Sequence, residues 1–221
     1  MSHKVRVWDL PTRCFHWALV VCLIGLLTSA QIGGAAMAWH FRLGYTVLSL
    51  LLFRLIWGVL GGRWSRFASF IYTPATLLAY LQGRGRPEHA IGHNPLGAGS
   101  VFALLGFLLL QVASGLLSDD EIAAAGPISK FASNALVSSA TSYHTTVGKL
   151  MVIGLVVLHI SAIFFYHFKK RENLILPMIL GDKKTDSAVT SSRDDVGSRT
   201  LALVIFLGCA ALVAGLVKLA G

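Results

Sequence analysis

The chain has 221 residues, 55% of them hydrophobic and 13% charged, with a formal net charge of +9 and a mean hydropathy of +0.68. A soluble domain carries roughly twice that charged fraction, so a single soluble domain is excluded. The positive charge lies mainly in the loops between apolar runs, which marks cytoplasmic loops and excludes a nucleic-acid-binding reading.

Apolar runs cover about residues 15–33, 39–60, 98–117, 143–168 (most continuously from Val147) and 201–219. Each approaches or exceeds the roughly 18 to 20 residues that cross about 30 Å of hydrocarbon as a helix. The sequence therefore predicts an all-α integral membrane bundle. Residues 1–184 would hold a four-helix core, 185–199 a flexible Ser/Asp-rich cytoplasmic linker, and 200–221 a fifth membrane helix. Lys4, Arg6 and Arg13 precede the first run, which resembles a signal peptide, but that run carries His16 and Trp17 at its mouth and is long enough to span uncut. Segment Phe67–Gln82 is shorter, contains Pro74, and reads as an interfacial amphipathic helix. In the last run, Ala211 and Gly215 form a small-residue face suited to helix packing or to a homodimer.

Basic residues fill alternate loops: Lys4, Arg6 and Arg13, then Arg63, Arg66, Arg84 and Arg86, then Lys169, Lys170, Arg171, Lys183 and Lys184. The intervening loops are nearly neutral or carry Asp119, Asp120 and Glu121. The positive-inside rule then puts the N-terminus in the cytoplasm and the C-terminus outside a bacterial inner membrane.

Histidines break the apolar pattern. His16 opens the first run, His40 the second, and His144 and His159 lie fifteen residues apart in the fourth. Imidazole is costly in hydrocarbon unless ligated or hydrogen-bonded. Fifteen residues of helix separate His144 and His159 by roughly 22 Å on nearly one face. With the orientation above, His16 and His159 share the inner depth, while His40 and His144 share the outer one. Two such pairs suit the axial ligands of two haem irons. Cys14, Cys22 and Cys209 form neither a C-x-x-C pair nor a haem-attachment motif, so the haems would be non-covalent, b-type. A single histidine near a helix end reads as an interfacial side chain, and histidine clusters also bind zinc, copper or nickel in transporters. The absence of Asp and Glu from the spans and the two-layer division favour haem over metal transport.

Arg54 lies fourteen residues after His40, about 21 Å deeper on a similar face. It reads equally as a partner for the inner haem's propionates or as a side chain snorkelling to the surface. His93, in Gly92-His93-Asn94-Pro95, reads first as part of a capped loop before a helix and second as a quinone or propionate contact. Arg13 and His167 are further quinone or propionate candidates by depth, His167 also being the rival of His159 as inner ligand. His3 and His89 read as solvent-exposed.

Together these residues resemble the bacterial cytochrome b561 family, which includes the b-type cytochrome subunits of nickel-iron hydrogenases. The similar elements are Trp8-Asp9-Leu10-Pro11-Thr12-Arg13 leading to Phe15-His16-Trp17, His40 with Gly44 and Arg54, and Gly92-His93-Asn94-Pro95-Leu96-Gly97. Gly126-Pro127, His144 leading to His159, and Glu172-Asn173-Leu174 to Gly181-Asp182-Lys183 complete them, over about residues 5–184. The resemblance implies a four-helix core with two b haems ligated at His16, His40, His144 and His159. It also implies electron exchange between membrane quinone and a partner or small acceptor, for which a periplasmic c-type cytochrome or a hydrogenase-like protein is expected. A stand-alone quinone-coupled oxidoreductase, such as a superoxide oxidase, is the alternative within the family.

Overall fold

The computed structural model describes residues 3–121, 124–185 and 189–220. In chain order its elements are strand β1 (His3–Arg6), helices α1 (Leu10–Ile32), α2 (Met37–Leu60), α3 (Pro74–Leu81) and α4 (Pro95–Leu117), and helix α5 (Asn134–Ser142). Helix α5 runs through a π-helical turn (Tyr143–Gly148) into α6 (Lys149–Phe168), followed by α7 (Ile175–Leu180), strand β2 (Asp182–Thr185) and α8 (Val196–Ala220). Among the described residues five helical stretches are long and apolar enough to cross a membrane: Leu10–Ile32, Gly34–Leu60, Pro95–Leu117, Asn134–Phe168 and Val196–Ala220. Large apolar side chains such as Val21, Ile24, Val157, Leu158, Val204 and Leu207 are exposed on them. That is the surface a helix presents to lipid, where its main-chain groups must be satisfied internally.

The chain divides into two compact units, and each long helix lends a stretch to both. The first unit holds residues 3–15, 54–103, 157–185 and 189–205. Its frame is an antiparallel ribbon of β1 and β2, with Val5 opposite Lys183 and Arg6 opposite Asp182. Val5, Val7, Trp8 and Ile91 form a buried cluster packed by Trp64, Met178 and Val189. Gly181 ends α7 at φ 90°, and its carbonyl accepts from the Val7 and Trp8 amides at 2.9 and 3.0 Å. A Cβ at this residue would lie 2.7 Å from the Trp8 carbonyl oxygen, so only glycine fits this left-handed close approach.

The stretch 185–199, expected to be flexible, is docked where it is described; residues 186–188 lie outside the described residues. The Ser192 amide donates to the Arg6 carbonyl at 2.7 Å, and its Oγ donates to the Val7 carbonyl at 2.8 Å. Trp64 Nε1 donates to the Thr190 carbonyl at 3.0 Å. Asp194 accepts from the Leu10 amide, Arg6 Nη1 and Arg199 Nε at 3.0, 2.9 and 3.0 Å. Burial alone would raise the Asp194 carboxyl, but the hydrogen bonds from Arg199 and Leu10 and the charge of Arg6 outweigh it and hold it below its ordinary value. Composition suggested a loose linker because it does not show that this chain supplies three arginines, Arg6, Arg13 and Arg199, to one carboxylate.

The segment 67–82, expected as one interfacial helix, is a 3-10 turn at Phe67–Ser69 followed by α3. Thr73 Oγ1 caps α3 by accepting from the Thr76 amide, and Pro74 sits in its first turn, where a missing N–H costs nothing. His89, expected to be exposed, is buried, its ring 5.2 Å from that of Tyr72 and 5.8 Å from that of Tyr80.

The second unit holds residues 16–53, 104–121, 124–156 and 206–220. Within it α2 meets α8 through the Phe53 and Phe206 rings, 6.2 Å apart and edge to face. The fourth membrane stretch begins nine residues before the expected boundary of 143, at Asn134, where Ser133 Oγ accepts from the Leu136 amide as an N-cap.

Candidate functional site

In the second unit the rings of His40 and His144 are neighbours, their centroids 6.1 Å apart and their planes at 87°, edge to face. His40 Nδ1 lies 3.1 Å from the Leu26 carbonyl oxygen, and His144 Nδ1 lies 2.8 Å from that of Gln111. A carbonyl only accepts, so each Nδ1 carries the proton and each Nε2 keeps its lone pair. These are the tautomers of metal-ligating histidines whose other nitrogen is held by a carbonyl. An ion bound between two Nε2 atoms through bonds of about 2 Å needs centroids roughly 6 Å apart, and the observed spacing matches. The residues present therefore fit a haem that this pair would hold.

Local sequence produces the arrangement. His144 lies in the π turn, a one-residue excess that redirects side chains and recurs at functional sites. Gln111 clamps it from α4: its main-chain carbonyl takes the Nδ1 proton, and its side-chain Nε2 donates to the His144 carbonyl at 2.9 Å. Gly115 makes room, since a Cβ there would stand 2.7 Å from His144 Cε1. The serines show a matching pattern. Ser29, three residues after Leu26, has its Oγ 3.4 Å from His40 Nδ1, and Ser114, three residues after Gln111, has its Oγ 3.3 Å from His144 Nδ1. Ser29, Gln111, Ser114, Gly115 and the π turn escaped the sequence reading, because lone Ser, Gln and Gly in apolar helices look like packing residues. A serine three residues after another polar residue in α4 was the available signal.

His16, also in this unit, is half-buried, with its ring 5.1 Å from that of Trp17. Its expected partner His159 belongs to the first unit and is likewise half-buried, whereas the rival His167 is exposed.

The first unit contains a buried charge centre. Arg54 is 3% exposed, so it does not snorkel: its Cζ sits 4.6 Å over the Phe67 ring. Asp9, fully buried, opposes its charge. The Asp9 carboxylate accepts from the Thr12 amide at 2.8 Å, the Gly62 amide at 3.0 Å, Ser65 Oγ at 2.8 Å and Trp57 Nε1 at 3.2 Å. Hydrogen bonds to a charged group contribute about 1.5 to 3 kcal/mol each, which offsets burying the carboxylate. Arg54 Nη1 is buried without a hydrogen-bond partner among the described residues, a geometry that suits an acidic oxygen.

The loop expected around His93 is capped as the sequence indicates: Asn94 Oδ1 accepts from the Gly97 amide at 2.8 Å, with Pro95 at the start of α4. The His93 ring lies 4.6 Å from Trp8 and 4.4 Å from Phe70. Arg13 Nη1 donates to the Ile179 carbonyl at 2.7 Å, and Nη2 lies 3.9 Å from Asp194. Among the described residues no three His, Cys, Asp or Glu side chains gather as a metal cluster.

The chain is similar to the probable Ni/Fe-hydrogenase 1 B-type cytochrome subunits of Escherichia coli strain K12 and Escherichia coli O157:H7. Each is 27% identical over 140 residues, covering 51% of this chain and 57% of the relative. The chain thus spans less than two thirds of the length of these curated relatives. No solved structure matches it. Residues 7–181, which include every histidine of the constellation, match the model of the prokaryotic cytochrome b561 family, and the chain belongs to that family.

Proposed function

We propose that the chain is a transmembrane electron-transfer protein carrying two haems b, working between membrane quinone and a partner or small acceptor at the outer face. The observation that carries this reading is the His40–His144 pair, spaced for one iron and fixed by two main-chain carbonyls in the ligating tautomer. Haem b supplies reversible one-electron chemistry when bound. His40 and His144 hold the outer position, and their Nδ1 bonds fix ring orientation. His16 and His159 are the pair for the inner position, on the strength of helix order and histidine spacing in the sequence. Arg54, with one buried nitrogen to spare, would take a propionate there, while Asp9 stabilises the guanidinium. Two histidines holding each haem would leave it no site for a substrate, which favours outer-sphere transfer. Of the quinone or propionate contacts, His93 between two aromatic rings has the most suitable surroundings; Arg13 and His167 are the weaker candidates.

In this reading the chain sits in a bacterial inner membrane with its N-terminus cytoplasmic and its C-terminus periplasmic. Its redox partner is hydrogenase-like or a c-type cytochrome, the former in line with the names of the relatives. The test is vectorial electron transfer in liposomes, with quinol in the membrane and a trapped ferric acceptor inside. Reduction of the acceptor by the wild-type chain and its loss in His40→Ala would support the proposal. A rate equal to that of protein-free vesicles, or one untouched by His40→Ala, would refute it.

A further inference from the structure

We infer that the Ser114 hydroxyl tunes the haem held by His40 and His144, and that Ser29 is its weaker counterpart. The inference rests on the ligation proposed above and concerns what sets the strength of the histidine tethers.

Each of the two histidines meets the same local device: a helix carbonyl facing Nδ1 and a serine three residues later. Both serines are buried, Ser29 5% and Ser114 6% exposed. Serine in a helix commonly donates to a carbonyl three or four residues back, and both do so. What distinguishes Ser114 is the carbonyl it uses. Its Oγ donates to the Gln111 oxygen at 2.9 Å, the same atom that takes the His144 Nδ1 proton at 2.8 Å. Two donors share one acceptor, so each receives less of its electron density than it would alone. Ser29 has another outlet: its Oγ lies 2.7 Å from the Gly25 carbonyl and 3.1 Å from that of Leu26. The shorter bond draws the Ser29 proton to Gly25 and leaves Leu26 largely to His40.

The tether governs the ligand. A stronger Nδ1–H···O=C bond makes the imidazole more basic at Nε2, and a more basic ligand favours the oxidised iron. By competing for the Gln111 carbonyl, Ser114 weakens the His144 tether and raises the midpoint potential. Ser114 is a positioning residue in this role, acting through His144. Removing its hydroxyl leaves the Gln111 oxygen bonded to His144, so no acceptor is orphaned and the fold loses little.

The experiment is a redox titration of the purified, haem-loaded full chain in wild-type, Ser114→Ala, Ser114→Thr and Ser29→Ala forms, with haem content measured on each. The expected result is unchanged haem content and a fall of about threefold in the reduced-to-oxidised ratio of one haem in Ser114→Ala at fixed potential. For a one-electron couple that is roughly 28 mV, since tenfold is 59 mV. Ser114→Thr should return toward the wild-type value, Ser29→Ala should shift less, and the haem affected should be the one missing from His40→Ala. Wild-type midpoints in Ser114→Ala, a larger shift in Ser29→Ala, or loss of haem from Ser114→Ala would each overturn the tuning role. A wild-type chain that takes up no haem would instead overturn the ligation itself, so the two failures are distinguishable.

Discussion

The imidazole planes of His40 and His144 stand at 87° with their centroids 6.1 Å apart, each ring tied through Nδ1 to a carbonyl, Leu26 on α1 for His40 and Gln111 on α4 for His144. Crossed planes at a haem iron leave the two π-type d orbitals close in energy, which spreads the g values of the ferric low-spin state. One haem of the purified chain is therefore expected to give a strongly anisotropic, single-feature low-spin signal in electron paramagnetic resonance. A conventional three-line rhombic signal from both haems would mean that the rings lie parallel.

Gly115 is predicted to be a strict requirement of that pair. Gly115→Ala would push a methyl group to 2.7 Å from His144 Cε1, an overpacking of the kind that costs about 1 to 3 kcal/mol. Haem content should drop by close to one per chain. Gly208→Ala on α8, where a Cβ meets nothing within 4 Å, should leave it unchanged. Equal haem in both variants would count against the close approach.

Asp9 is predicted to be the most costly acidic residue to remove. Asp9→Ala would take the acceptor from buried donors of Thr12, Trp57 and Gly62 and the opposing charge from Arg54, leaving Ser65 Oγ only the Thr12 hydroxyl. Each unsatisfied group costs roughly 1 to 3 kcal/mol. In detergent, thermal unfolding of Asp9→Ala should fall well below that of the exposed-site control Asp120→Ala.

The Asp194 latch carries a pH dependence with a definite sign. Its carboxyl is held below the ordinary value in the folded state, so its stabilisation is fully present above about pH 4, the unfolded value. It is lost as pH falls below that through the folded value. Amide exchange at Ser192, corrected for intrinsic rate, should show protection declining in acid, and Asp194→Asn should lower protection at neutral pH and flatten the profile. Protection that is independent of Asp194 would show that other contacts hold this segment.

The long helices were legible in the sequence because hydropathy runs are strong, local signals, and so was the neighbourhood of His40 and His144, polar residues inside such runs. The ribbon of β1 and β2 was not, since two four-residue strands pair across more than 170 positions and neither has enough length for a period to show. Arg54 illustrates an intermediate case. Depth along α2 left two readings open, and only the packing of Phe67 and Asp9 around it removed the snorkelling one. The π turn was invisible for a different reason: it is a change of register within a helix, and weak helix formers such as Thr145, Thr146, Val147 and Gly148 do not say which register the helix takes.

Haem stoichiometry tests the whole reading most directly. Pyridine haemochrome analysis of the purified chain, expressed in haem-replete cells, should give about two haems b per chain, falling to about one in His144→Ala and staying at about two in Cys209→Ala. A wild-type chain without haem b, or a His144→Ala chain with the full wild-type content, would contradict it.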